Sequence, residues 1–456
     1  MQSAEQGAYV GTVGVRRFFF LFLPVLLVSL ATYLPLFMEK LFLGRISQEA
    51  MAIAVNGAYV TQIFQIPCVA LAMMGQVYIG RWFGAGNYRS IGAGVWQLIW
   101  FSFFSMAVVL PLGWLYSGAH FQGVLLKSGG LPYCRFLIVM NFLYPLGAAL
   151  SCFYLGQGKT KVILVATVGA QLIKLVFAYL LIFGYSTWIP RLELMGGTIS
   201  TLIAQGSFCI FLLWNFLNSK NNALFHSRSW RFQPKLFWEC LYPGLLRATN
   251  RVLNSAAWAR LAEIINAKGE DYCLSLSIGG TLFLFLPFIA DSICQVQTTI
   301  VSQILGSKTY SLLSRALRSG VIFAGIIIVL AGIPLILLPS EIFTILFSKI
   351  TLDQMSIKRI FFGVWISFAF FAFSFLPISH ILAFKDMTFS LCMGVVCSAI
   401  SFSFMYFLLE KTQLSADKLW IALSISHLFT ILFYWARMRW LQARLISSES
   451  EPSLQT

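Results

Sequence analysis

Few side chains in this sequence could do chemistry, and nearly all of them lie inside long apolar runs. Glu39 stands in the first run, Lys174 in the fifth, Arg247 and Arg251 in the seventh, and Asp291 in the eighth. A charge at the centre of a bilayer costs roughly 2.5–3.5 kcal/mol on insertion scales, so each of these is a functional candidate. A charge near a helix end can instead snorkel to the interface. A buried carboxylate such as Glu39 can hold a proton or cation and release it when its surroundings change. It can equally snorkel near the outer end, or pair with a neighbouring base. Arg247 and Arg251 are four apart and share a helix face. Facing a cavity, they would suit an anionic head group through bidentate pairing with phosphate or carboxylate. They could instead be anchors at the cytoplasmic mouth, because Arg247 is only about one turn beyond Pro243. Arg260 and Glu263 can pair near the outer end. Asp291, Gln295 and Thr298 form a polar stripe that lines a cavity or meets Arg251. Asn56, Gln62, Gln65 and Gln76 form another, suited to a cavity or to bonds between helices.

Other chemical signals fail. The segment "GQGKT" lacks the earlier glycine of a phosphate loop, since Phe153 stands there, and no strand precedes it. The four His are scattered over separate runs and loops. The nine Cys show no metal-ligand spacing, and most fall in apolar runs, where Cys behaves as a small hydrophobe. No nucleophile elbow or paired catalytic carboxylates occur. No enzyme activity, metal site or resident cofactor is expected.

The elements that must carry these residues are membrane helices. The chain has 456 residues, 59% hydrophobic and 11% charged. Soluble domains carry about 25% charge, so too little polar surface remains to cover a water-facing fold. The apolar runs reach about 20 residues or more, enough to cross a hydrocarbon core of about 30 Å. In lipid every backbone polar group needs an internal partner, so these runs must be helical. Twelve are read, at 18–43, 51–80, 92–117, 133–157, 162–184, 195–217, 238–266, 273–303, 315–339, 357–383, 388–409 and 417–440. The stretch from Gln442 onward is polar and expected to be unstructured.

The net charge of +16 could suggest nucleic acid. Its distribution points to topology instead. Lys and Arg concentrate in the N-terminus, in alternate loops and in the C-terminus, with Arg16, Arg81, Lys159, Arg231 and Arg437 among them. That bias puts both termini in the cytoplasm. The longest loop, "NSKNNALFHSRSWRFQPKLFWE", divides the chain. The halves echo each other, with Gly57, Gly84 and Tyr88 falling on Gly279, Gly306 and Tyr310. An even helix number per half makes the repeats parallel, about an axis along the membrane normal. The expected organisation is a cytoplasmic N-terminus (1–17), an N-lobe of six helices (18–217), a cytoplasmic linker (218–237), a C-lobe of six helices (238–440) and a cytoplasmic tail (441–456).

Several segments resemble the multidrug and toxic compound extrusion (MATE) family of the wider flippase superfamily. "LFMEKLFLGRISQEAMAIAVNG" is similar to its first helix and following turn. "GRWFGAGNYRSIG" resembles its loop between helices two and three, and "YLGQGKTKVILV" the loop between four and five. "LLIFG" resembles the end of its fifth helix, and "LAFKDMTFSL" the matching loop of the second half. The resemblance covers nearly the whole chain in order. It implies a V-shaped, all-α membrane transporter of two six-helix bundles with alternating access. A sodium ion or proton would drive export of small, drug-like amphipathic compounds. Glu39 would take the family's acidic position in the first helix. Lys174 and Ala178 stand where the family usually carries Asn and Asp. Lys174 is therefore expected to pair with Glu39 and to substitute for the bound cation, or else to form a static pair. The acids some members carry in the second half are absent. A flippase for an anionic lipid-linked precursor is the alternative. The expected setting is a monomer in the inner membrane, with a small-molecule substrate, the lipid bilayer and no nucleic acid as partners.

Overall fold

The structure, a computed structural model, describes residues 13–120, 129–184, 190–284, 286–347, 352–412 and 414–450. Residues 1–12 of the expected N-terminus and 451–456 of the tail lie outside them. The described chain is helical throughout. In order, the helices are α1 (Val15–Ile46), α2 (Gln48–Ala72), α3 (Gly75–Gly84), α4 (Tyr88–Phe104), α5 (Met106–His120), α6 (Gly130–Val139), α7 (Leu143–Gln157), α8 (Thr160–Phe183) and α9 (Glu193–Phe216). Then follow α10 (Ser219–Phe225), α11 (Pro234–Asn266), α12 (Glu270–Phe283), α13 (Leu286–Ser307), α14 (Leu312–Leu337), α15 (Pro339–Leu346), α16 (Gln354–Phe384), α17 (Met387–Lys411) and α18 (Leu419–Ser450).

Among the described residues, ten helical stretches are long and apolar enough to cross a membrane. The pair α12–α13, bent by 44°, makes an eleventh if it is one span. Some runs read as single helices are jointed. The stretch through α2 and α3 breaks at Met73 and Met74, that through α4 and α5 at Ser105, and that through α6 and α7 at a 3-10 turn over Met140–Phe142. Burial is inverted relative to a water-soluble fold. Large apolar side chains such as Ile345, Leu115 and Trp214 are more than 70% exposed, the surface that lipid would cover.

The chain divides into two compact units, Leu23–Ala248, and Met1–Phe22 with Thr249–Thr456. The divisions fall inside α1 and α11. In the first unit, α7 is the central helix, buried along nearly its whole length against α2, α3, α4 and α9. In the second unit, α16 has that place, packed on α13, α14 and α18. The span through α6 and α7 and the span of α16 each bury 61% of their apolar window, against 17% for α17 at the periphery.

Prolines sit inside α1, α2, α5, α11, α14 and α16. Each removes a donor from the helix ladder, a defect that neighbouring side chains can repair in a membrane protein. At Pro243 the repair is visible. The Glu239 carbonyl four residues back has no Pro243 N–H to receive, and the Tyr78 hydroxyl donates to it at 2.6 Å.

The polar stretch from Gln442 departs from its expected disorder. Helix α18 continues to Ser450. It is held by Arg437, which pairs with Asp386 at 2.8 Å and stacks on Trp440 at 4.3 Å. Gln442 also meets the ring of His380, with Nε2 3.2 Å from Nδ1.

Candidate functional site

Three helices of the first unit converge on one carboxylate. Glu39 of α1 is 7% exposed, and Lys174 of α8 is 3% exposed. Lys174 Nζ lies 2.7 Å from Glu39 Oε2. Glu39 is seven residues, about 10 Å, short of the end of α1, and Lys174 is further than that from either end of α8. The pair is therefore too deep for simple snorkelling, and the alternative of pairing with a neighbouring base holds. The pairing expected from the sequence is formed.

Helix α9 supplies the third wall. A Cβ on Gly197 would stand 2.7 Å from Glu39 Oε1, so the carboxylate rests on bare backbone that only glycine leaves open. One turn on, Thr201 Oγ1 donates to the Gly197 carbonyl at 3.0 Å and lies 3.5 Å from Glu39 Oε2. Tyr133 of α6 and Tyr144 of α7 are close enough to feel the Glu39 charge. The arrangement is a buried, positively compensated carboxylate with one strong partner and one weak one. Lys174 neutralises Glu39 here, and a carboxylate can in general also be neutralised by a proton or a metal ion. Gly197 and Thr201 escape a reading of the sequence. Their signal is a Gly and a Thr four apart, a small-residue spacing that ordinary helix packing also uses.

The remaining candidates are placed as follows. Asn56 of α2 is half-buried and donates to the Ala52 carbonyl of its own helix at 2.8 Å. Gln76 of α3 is 3% exposed, beyond the break that separates it from the stripe of Asn56. Gln62 is exposed and Gln65 half-buried. Arg247 is half-buried in the first unit, near Cys152 of α7. Arg251 is exposed, and its side chain has no hydrogen bond or ion pair with any described residue. Arg260 and Glu263 do pair, at 2.5 Å, in an exposed position.

One of the two alternatives offered for Asp291 is not formed. Asp291 does not bind Arg251, because its Oδ2 accepts from Gln295 Nε2 at 2.7 Å, one turn along the same helix. Asp291 and Gln295 are thus brought together, within the second unit. That unit also holds a polar cluster not foreseen from the scattered His. His380 of α16 is fully buried, with Gln297 Nε2 3.0 Å from its Nε2 and Gln442 against its other ring nitrogen. A neutral imidazole donates from one nitrogen and accepts at the other, so one of these amides must present its oxygen. Gln297 Oε1 is otherwise buried without a partner, and a half-turn of that amide brings it to the ring.

Comparison with known proteins agrees with this architecture. The model of the MatE family matches residues 24–180. A probable multidrug resistance protein NorM of Geobacillus kaustophilus is 28% identical over 207 residues, which span 42% of this chain and 43% of that protein. A probable NorM of Thermotoga maritima is 21% identical over 329 residues, spanning 70% of this chain and 69% of that one. Among solved structures, the outward-facing conformation of a multidrug resistance MATE family transporter of the MOP superfamily superposes with a TM-score of 0.84. The two share 13% identity, over 96% of this chain and 98% of that chain.

The fold defines an all-helical, multi-pass membrane protein with the architecture of MATE transporters. With the family match and the NorM relatives beside it, the resemblance read from the sequence is shown. The chain is thus similar to MATE transporters, with the match to the MatE family model confined to residues 24–180.

Proposed function

We propose that this chain is a secondary active transporter, a cation- or proton-coupled antiporter that exports small amphipathic compounds by alternating access. Twelve spans in two bundles of six fit the chain. Ten apolar spans and the bent pair α12–α13 make eleven. Helix α11, at 33 residues, is long enough to be the twelfth, and Arg247, Arg251, Arg260 and Glu263 explain why it is not among the apolar ten. The proposed setting is a monomer in the inner membrane with both termini in the cytoplasm.

The observation that carries the coupling is the buried pair of Glu39 and Lys174 at 2.7 Å. Lys174 acts as a tethered cation. When the surroundings of Glu39 open to water, a proton or sodium ion competes with Lys174 for the carboxylate. Binding of that ion releases α8 from α1, and loss of the ion lets the pair re-form. The gradient thereby sets which state of the pair prevails. The test is efflux of a cationic fluorescent dye from cells expressing the chain, with sodium and proton gradients collapsed in turn. Efflux that depends on one gradient is expected, and indifference to both would count against a coupled antiporter.

Arg251 favours a second reading, a flippase for an anionic lipid-linked precursor. An exposed, unpaired guanidinium on a membrane helix suits a phosphate or carboxylate better than a cation. Dye efflux that is absent, with translocation of an anionic lipid analogue present, would select it.

A further inference from the structure

We propose that the linker and the start of α11 form a docking surface for anionic phospholipid at the membrane interface. The sequence marks this segment only as the longest loop. The structure shows it fastened along α4. Trp96 Nε1 donates to the Ser227 carbonyl at 2.7 Å, and Trp100 Nε1 to that of Trp230 at 3.1 Å. Gln97 donates to the Arg231 carbonyl at 3.2 Å and accepts from the Gln233 N–H at 3.0 Å. At the upper end, a Cβ on Gly92 would stand 2.2 Å from the Phe225 carbonyl oxygen, so glycine there lets the backbones touch. At the lower end, the ring of Phe104 meets those of Phe232 and Phe237 at 5.7 and 5.9 Å.

These contacts fix the depth of the segment. The span through α4 and α5 runs from Tyr88 to His120. The span has 33 residues, and about 20 suffice to cross about 30 Å of hydrocarbon, so its ends reach beyond the core. The linker is bound along the Tyr88 half of the span, on the side of that end. The exposed side chains suit that level. Trp230 and Trp238 are each 65% exposed, and Trp is enriched where acyl chains meet head groups. The same segment forms a shallow recess of about 400 Å3, lined by residues that include Arg231, Gln233, Lys235 and Glu239. The side chains of Arg231 and Lys235 are exposed and have no hydrogen bond or ion pair with described residues. With Arg228 they set three bases against one acid. A loose basic loop would satisfy the charge rule of topology equally well. Here the backbone is held, so the recess exists before any lipid arrives. A phosphodiester can enter between Arg231 and Lys235 while the indoles lie along the acyl chains. The free energy of ordering has already been met by the contacts to α4.

The test uses the full chain in lipid nanodiscs of phosphatidylcholine, in which phosphatidylglycerol is raised at constant total lipid. Phosphatidylglycerol is expected to raise the thermal unfolding midpoint of the wild type. R231A/K235A should lose most of that rise, R231K/K235R should keep it, and K358A/K411A, which removes equal charge from the far ends of α16 and α17, should also keep it. Equal midpoints in both lipids would overturn the proposal. So would a full rise in R231A/K235A, or an equal rise on adding inorganic phosphate in phosphatidylcholine. The readout does not involve transport, so it stands or falls apart from the exporter reading.

Discussion

At the scale of residues, the account rests on the desolvated pair of Glu39 and Lys174. Removing one partner of a buried pair leaves an uncompensated charge, at a cost of about 3–5 kcal/mol, whereas replacing both by apolar groups is often neutral. K174A should therefore lower the thermal unfolding midpoint in detergent markedly, and E39L/K174L should restore it. Gly197→Ala should also destabilise, by about 1–3 kcal/mol, since the new methyl group must push the Glu39 carboxylate aside. Gly206, on the same helix, has open space around it, and Gly206→Ala should be neutral or stabilise by about 0.5–1 kcal/mol. Unfolding curves of the two variants side by side would check this. The pair was legible because a charge in an apolar run is costly and because the family resemblance sets Lys174 at a position used together with the first-helix acid. Gly197 and Thr201 were not, since small residues in membrane helices are mostly there for packing. For Asp291 the sequence left two options open, and the bond it makes is to Gln295 of the same stripe, one turn along its own helix.

At the scale of elements, run length and hydropathy located the spans, whereas their joints went unseen. The breaks at Met140–Phe142 and before Leu286 lie just ahead of Pro145 and Pro287, each of which removes a donor from the helix ladder. The break at Ser105 has no such mark, since the residues around it are ordinary in helices. In the tail, polarity does not mean disorder, because Arg437, Trp440 and Gln442 each find a partner. The central helices of the two units end on a similar turn with different residues. After α7 the left-handed position is Gly158, at φ 78°, and after α16 it is Lys385, at φ 63°. The turn is kept in the second half without the residue that makes it easy. Two element-level predictions follow from hydrogen bonds that terminate or repair helices. Tyr78→Phe strands the Glu239 carbonyl next to Pro243, and should cost about 1–3 kcal/mol in unfolding experiments. Asp353 caps α16, its carboxylate held below the usual range by the Ser356 side chain and then by the Ser356 N–H, which lies 2.9 Å away. A lowered carboxylate pKa gives stability that is present above the ordinary value of 3.8 and lost as pH falls through the lowered one. D353A should thus unfold at a lower temperature than wild type at neutral pH, and the gap should close under acid.

At the scale of the whole molecule, charge asymmetry and fold symmetry pull apart. Each unit is built around one deeply buried helix, α7 or α16, and the backbone matches MATE transporters over nearly the whole chain. The first unit keeps a buried acid and adds a base beside it. The second unit offers instead a polar cluster around His380 and an Asp291 bonded to an amide. If export is coupled to an ion, the coupling belongs to the first unit and to the competition between Lys174 and that ion for Glu39. The most direct test is gradient-driven transport of a cationic dye in proteoliposomes, comparing wild type with E39L/K174L, the variant expected to remain folded. The account predicts transport that follows an imposed proton or sodium gradient in the wild type and falls to the level of empty liposomes in the variant. Equal, gradient-dependent transport by both proteins would contradict it.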